Sequence, residues 1–148
     1  MAADDDLIKL YSQRILALAA DIPLTARLAA PDATARRRSP LCGSTVTVDL
    51  SLDGERIAAF GQDVRACALG QASASILGSH AVGATRAEIA AAREALVAML
   101  KKGGPAPEGA FAALEVLMPA RDYKNRHASI LLAWDATLAA FDEAAAAA

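Results

Sequence analysis

Aromatic side chains are scarce in this chain: Phe, Trp and Tyr make up 4% of 148 residues. The core must therefore be filled by alanine and aliphatic side chains, a composition that suits closely packed helices. A basic excess is also missing. Fifteen Lys and Arg against seventeen Asp and Glu leave a net charge of -2, without the positive surplus that binding a phosphate backbone requires. Nucleic acid is excluded as an expected partner. No apolar run approaches membrane-spanning length, and the opening Met-Ala-Ala-Asp-Asp-Asp is acidic where a secretory or organellar signal needs positive charge. A cytoplasmic protein with no membrane association is the expectation. Neither Gly-x-Ser-x-Gly nor Gly-x-x-x-x-Gly-Lys-Ser/Thr occurs, which removes support for a serine-hydrolase site or a phosphate loop. Only two cysteines are present, Cys42 and Cys67. In a reducing compartment such a pair is more often free, metal-binding or catalytic than disulfide-bonded.

What is abundant is apolar: 55% of the residues are hydrophobic, enough to bury a core in a single domain spanning 1–148, with 1–3 and 143–148 expected to fray. Residues 4–20 place Leu7, Ile8, Leu10, Ile15, Leu16 and Leu18 on an amphipathic helix, with Asp4 to Asp6 in its first turn. The stretch 21–41, with Pro23, Pro31, Pro40 and the run Arg36-Arg37-Arg38, reads as an extended, solvated connection. From 44 to 65 the alternation Thr45-Val46-Thr47-Val48 and the pair Asp53-Gly54 predict a hairpin. A two-residue turn at Asp53-Gly54 would pair Leu52 with Glu55, Leu50 with Ile57, Val48 with Ala59 and Val46 with Gly61. Three further helices follow with clear signals. One starts after Cys67, and one runs from a capping box at Thr85 and Glu88 to Lys102. A long one spans about Asp122 to Ala145, after a short helical stretch from about Glu108 to Met118.

Extending that hairpin register puts Cys42 opposite Arg65 and brings Cys67 to the same open end, so the two thiols are expected close together. Cys67 also opens a helix, where free backbone N–H groups favour thiolate over thiol. On the last helix His127 is in phase with Leu131, Trp134, Leu138 and Phe141, one buried stripe. Ser129 lies about 200° around the helix from His127, and Ala128 has no ligating atom. His127 is accordingly the expected third ligand, set against the plainer reading of a hydrogen-bonded core histidine. His80, between small residues, is expected to be solvated. Arg121, Lys124 and Arg126 read either as a dock for an acidic partner or as an ordinary solvated face.

Three segments, in order, carry a resemblance: Pro40-Leu41-Cys42-Gly43, Cys67-Ala68-Leu69-Gly70-Gln71-Ala72-Ser73-Ala74-Ser75, and Arg126-His127-Ala128-Ser129-Ile130-Leu131. Over nearly its whole length the chain resembles the U-type scaffold family, the NifU-, IscU- and SufU-like proteins. The resemblance implies an α+β fold, a small antiparallel sheet backed by four to five helices. It also implies a site where sulfur from a cysteine desulfurase meets iron; some members hold zinc instead. This chain departs from the pattern in the spacing of Gly61 to Arg65, where a bulge is expected, and in three residue positions. Ser44 stands where members usually have Asp, the third cysteine of the last helix is replaced around His127 and Ala128, and Ala66 stands for the Gly before the second cysteine.

Two thiolates and one imidazole make a three-ligand site that zinc or a two-iron cluster would complete with water, Asp63 or a partner's atom. The expectation is a non-enzymatic scaffold or carrier. It would hold an iron-sulfur cluster, iron or zinc at Cys42, Cys67 and His127, and pass its cargo to apo iron-sulfur acceptor proteins. Two alternatives stand beside it: a metal-free persulfide carrier centred on Cys67, and a degenerate member acting as an interaction module.

Overall fold

The computed structural model describes residues 11–40 and 43–147. Its first helix, α1, is Gln13–Ala20, whose start is capped by Ser12 Oγ accepting from Ile15 N at 3.3 Å. The expected acidic first turn at Asp4 to Asp6 lies outside the described residues. Three strands follow, β1 (Ala33–Arg38), β2 (Thr45–Asp53) and β3 (Arg56–Arg65), in one antiparallel sheet of order β1-β2-β3. The chain is thus α+β, as its sequence implies.

The hairpin expected over 44–65 is present but forms two strands of a three-stranded sheet. The supposed solvated stretch 33–38 supplies the third, pairing Ala33 with Leu50 and Arg38 with Thr45. Only Ala33 and Ala35 of β1 are buried, while Arg36, Arg37 and Arg38 remain exposed. An edge strand of this kind keeps its charges in water and shows little alternation.

The β2–β3 register also differs from the expected one. Gly54, at φ 62°, and Glu55 form the turn, so Asp53 pairs with Arg56, and an irregularity follows between Ser51 and Leu52. The two displacements add up: Val46 lies opposite Val64 rather than Gly61, a shift of 64 − 61 = 3 residues. Thr45, not Cys42, is the residue opposite Arg65. Val46, Val48 and Leu50 still face the core, now with Phe60.

Three helices and two 3-10 segments close the body around that sheet. Helix α2 (Ala68–His80) follows β3 directly, and α3 (Arg86–Lys101) begins at the capping box of Thr85 and Glu88, with Glu88 N bonded to Thr85 Oγ1 at 3.2 Å. A 3-10 segment, Gly109–Asp122, is kinked at Phe111 and leads through a short turn, Lys124–Arg126, into α4, His127–Ala147. The terminal alanines continue that helix to Ala147. Helix α4 packs on β1 and β2, and α2 and α3 pack against it. The expected stripe is buried at His127, Leu131, Trp134 and Phe141, yet Ile130, Leu132, Ala133, Ala136 and Ala140 are buried as well. It is a central helix, apolar nearly all round.

Serine hydroxyls and one indole tie this core together. Trp134 Nε1 donates to Ser73 Oγ at 2.9 Å, and Ser73 Oγ donates to the Ile130 carbonyl at 2.7 Å, fixing α2 against α4. The ring of Phe111 meets Trp134 edge-on at 5.0 Å. Among the described residues no helix is long and apolar enough to cross a membrane.

Candidate functional site

The turn between β3 and α2 leaves Cys67 as the N-cap of α2, in extended conformation, with Gln71 N bonded to its carbonyl at 2.9 Å. Gln71 secures the same corner by donating its side-chain amide to the Ala66 carbonyl at 2.9 Å. Cys67 is half-buried and free of any disulfide.

The nearest polar neighbour of Cys67 comes from α4. Ser129 Oγ lies 3.5 Å from Cys67 Sγ and donates at 3.3 Å to Ser44 Oγ, which sits just before β2. Ser129 is 1% and Ser44 5% exposed, so this hydroxyl pair is held out of solvent directly behind a partly open thiol. Gly70 makes the approach of α4 possible. One turn beyond Cys67, a methyl group there would stand 2.6 Å from Ser129 Oγ and 3.1 Å from the Ser129 carbonyl oxygen. The structure thus joins residues of the second and third segments singled out in the sequence, Cys67 with Gly70 and Ser129, to Ser44, the residue that follows the first.

Cys42 lies outside the described residues. Its flanks are fixed: Ser39 N donates to the Ser44 carbonyl at 2.8 Å, and Gly43 N donates to the Ser39 carbonyl at 3.0 Å. Cys42 is two residues from Ser44 along the chain, and the Ser44 hydroxyl is already part of the group around Cys67.

His127 is inward, 3% exposed, as the stripe implies, but its surroundings are different. Its Nε2 donates to the Ala120 carbonyl at 2.9 Å, and its ring lines a cleft of about 570 Å³ with Leu100, Lys101, Gly103, Arg121, Asp122 and Lys124. Ser129, about 200° further around the helix, is the α4 residue that touches Cys67. A ring whose Nε2 is engaged with a backbone carbonyl presents Nδ1 as its remaining lone pair. Metal-binding histidines share that arrangement with plain core histidines. Arg121 is drawn into structure by donating to the Met99 carbonyl at 2.9 Å and the Gly104 carbonyl at 3.1 Å. His80 is exposed, with its ring edge-on to Phe111.

Asp63 does not share a face with the site. It pairs with Thr47 on the outer side of the sheet, with a side chain 42% exposed beside Arg65 at 3.7 Å. The register shift sends it there. Among the described residues no group of three or more His, Cys, Asp or Glu side chains stands together as a metal cage. The sulfur of Cys67 is accompanied by neutral hydroxyls, which are weak ligands beside thiolate, imidazole or carboxylate. In the sequence Ser129 is set aside because it lies about 200° around the helix from His127, and Ser44 enters only as the residue standing in place of the usual Asp. Gly70, three residues after Cys67 on the same helical face, was the available signal.

No family model matches the chain, and no curated protein matches it. Solved structures do. An N-terminal NifU-like protein from Brucella abortus, described as nitrogen-fixing, is 45% identical, with a TM-score of 0.93 over 97% of this chain and 99% of that one. A putative iron-sulfur cluster assembly scaffold protein for the SUF system from the thermophile Fervidobacterium islandicum shares the fold. It has 20% identity and a TM-score of 0.81, over 90% of this chain and 97% of its own. A hypothetical protein at 19% identity has a TM-score of 0.76 over 91% and 98% of the two chains. With near-complete coverage at 45% identity, the chain belongs to the U-type, NifU-like family of iron-sulfur cluster assembly scaffolds.

Proposed function

We propose that the protein is a cytoplasmic scaffold and carrier in iron-sulfur cluster assembly, with Cys42 and Cys67 as the thiolates that hold its cargo. The observation that supports this reading most is the meeting of Ser44, Cys67 and Ser129, since Ser44 stands two residues after Cys42 in the chain and the other two come from the second cysteine and the last helix. Sulfur would come from a cysteine desulfurase and leave, with iron, for apo acceptor proteins. Two thiolates leave positions on a bound iron, two-iron cluster or zinc open to water or a partner's donor atom, which suits cargo that must depart. His127 is the third candidate ligand, through Nδ1.

The hydroxyls beside Cys67 favour a second reading, a persulfide carrier. There the Cys67 thiolate attacks the outer sulfur of a donor persulfide, a new S–S bond forms, and the donor departs as a thiolate with no net oxidation.

Anaerobically purified protein, reconstituted with iron and sulfide, tests the first reading through iron, sulfide and zinc content and the visible spectrum. Wild type should retain near-stoichiometric metal, and Cys42→Ser and Cys67→Ser should each lose it. Retention unchanged in His127→Ala removes His127 from the ligand set. Wild type without metal, but with one sulfur atom added to Cys67 after incubation with a desulfurase and cysteine, replaces the scaffold by the persulfide carrier.

A further inference from the structure

We propose that the cleft beside His127 is a docking site for an acidic segment of a protein partner, held by Lys101, Arg121 and Lys124. The docking itself needs no cargo; that the partner exchanges sulfur or a cluster with this chain rests on the scaffold reading.

The cleft, about 570 Å³, is lined by those three cations and one carboxylate, Asp122. Lys102 and Arg126 adjoin it in the chain, so positive charge gathers here in a protein whose net charge is -2. Elsewhere Arg27, Arg56, Arg65, Arg86 and Arg93 each have a carboxylate partner. Among the described residues, none of the cations at the cleft has one, and Asp122 forms no ion pair with them. An ordinary solvated face intersperses both signs. A concavity lined mainly by one sign focuses its field and draws in the opposite charge.

Arg121 makes the walls of the cleft firm. It donates through Nε to the Met99 carbonyl at 2.9 Å and through Nη2 to the Gly104 carbonyl at 3.1 Å, tying the end of the 3-10 segment to the C-terminus of α3. Carbonyls at a helix C-terminus would otherwise repel an anion. The guanidinium covers them, and its Nη1 has no partner among the described residues. Lys101 and Lys124 are exposed and unpaired, so their ammonium groups can close on carboxylates at the mouth.

An acidic peptide suits this arrangement better than other anions. A small carboxylate would engage the lining cations and leave Lys102 and Arg126 uncovered, whereas several Asp or Glu side chains on one segment reach beyond the cleft. A long phosphate backbone is opposed by the net negative charge of the whole chain. The position also serves exchange. His127 lines the cleft and opens α4, and two residues further Ser129, on another side of that helix, lies 3.5 Å from Cys67 Sγ. A partner anchored by its acidic segment is held at the end of α4 that also reaches Cys67.

Fluorescence anisotropy of a fluorescein-labelled peptide, Gly-Ser-Glu-Asp-Leu-Glu-Glu-Gly, tests the dock with the full-length protein. The same peptide with Gln and Asn for its acids and a labelled thymidine oligonucleotide serve as comparisons. Wild type should bind the acidic peptide, and not the neutral one, with a dissociation constant below about 1 mM that rises several-fold between about 50 and about 300 mM salt. Lys101→Gln with Lys124→Gln should weaken binding by about tenfold. Arg36→Gln with Arg37→Gln removes the same charge from exposed positions of β1 and should leave it within about twofold. Wild type that ignores the acidic peptide overturns the proposal. So does equal weakening by the β1 pair, which marks net charge alone, and so does an oligonucleotide bound as tightly and lost in the same variant, which marks a phosphate site. Peptide binding by protein that retains no metal after reconstitution keeps the dock and removes the scaffold reading; metal retention without peptide binding does the reverse.

Discussion

Two polar clusters sit on opposite faces of the same sheet and are built in opposite ways. On the outer face the Asp49 carboxylate is fully buried and saturated. It accepts from Arg27 Nε at 2.5 Å, Arg27 Nη2 at 3.0 Å, Leu28 N at 3.1 Å and Thr34 Oγ1 at 2.5 Å. These donors come from the strap that crosses the sheet between α1 and β1. The strap meets the β3 edge where Gln62 N donates to the Leu24 carbonyl at 2.9 Å, and passes over Gly61, where a side chain would meet the Ala26 carbonyl. On the core face, by contrast, Cys67, Ser129 and Ser44 form a short file of neutral or weakly acidic groups with one end partly open. A charge with every acceptor position filled holds backbone in place, whereas the removal of a neutral hydroxyl strands no charge.

The largest effect should follow from opening the closed cluster. Asp49→Ala leaves the Leu28 amide and the Thr34 hydroxyl without their partner and unpins the strap, for a loss of about 3 kcal/mol in urea unfolding. A loss below about 1 kcal/mol would mean that the strap is held by its backbone contacts to β3 instead.

Acid should separate the two clusters next. Burial alone would raise the Asp49 carboxyl, but the bonds from Arg27, Thr34 and Leu28, with the guanidinium charge, outweigh it and hold the group below the ordinary carboxylate range. Its contribution is therefore complete above the unfolded-chain value of about 3.9 and is lost as pH falls through the lower native one. The stability gap between wild type and Asp49→Asn should stay constant from about pH 7 to about pH 5 and shrink below about pH 4. A gap already shrinking between pH 7 and pH 5 contradicts the assignment. The Arg27 guanidinium is raised, by its hydrogen bond to Asp49 first, so it stays charged throughout that range.

The sequence made these two clusters legible to different degrees, for physical reasons. Local signals served well. The capping box at Thr85 and Glu88, the helix after Cys67 and the inward stripe of α4 depend on residues within a turn or two of one another. The strand β1 was hidden because its buried members are only Ala33 and Ala35, and three arginines mask the alternation. The register failed by three residues because two displacements compounded: moving the turn along by one residue shifts the pairing by two, and an irregularity past Ser51 that no residue type announces adds one more. Cys67 was found for a reason the register does not supply, its place at a helix start. Periodicity pointed to His127 because it seeks one apolar face, whereas α4 is buried on several, and the face carrying Ser129 is the one that meets α2. A contact spanning 62 residues between two small polar atoms leaves no periodic trace.

The smallest expected effect is the one that sharpens the contrast most. Ser129→Ala removes a hydroxyl whose two partners are a partly exposed sulfur and another hydroxyl, so no charge is stranded and unfolding should become easier by about 1 kcal/mol or less. Thermal or urea unfolding of this variant beside Asp49→Ala places both clusters on one scale. A Ser129→Ala loss as large as that of Asp49→Ala would make the serine pair a structural clamp like its counterpart across the sheet. A small loss would leave the closed cluster as the one that holds the fold and the serine pair as a minor contact beside Cys67.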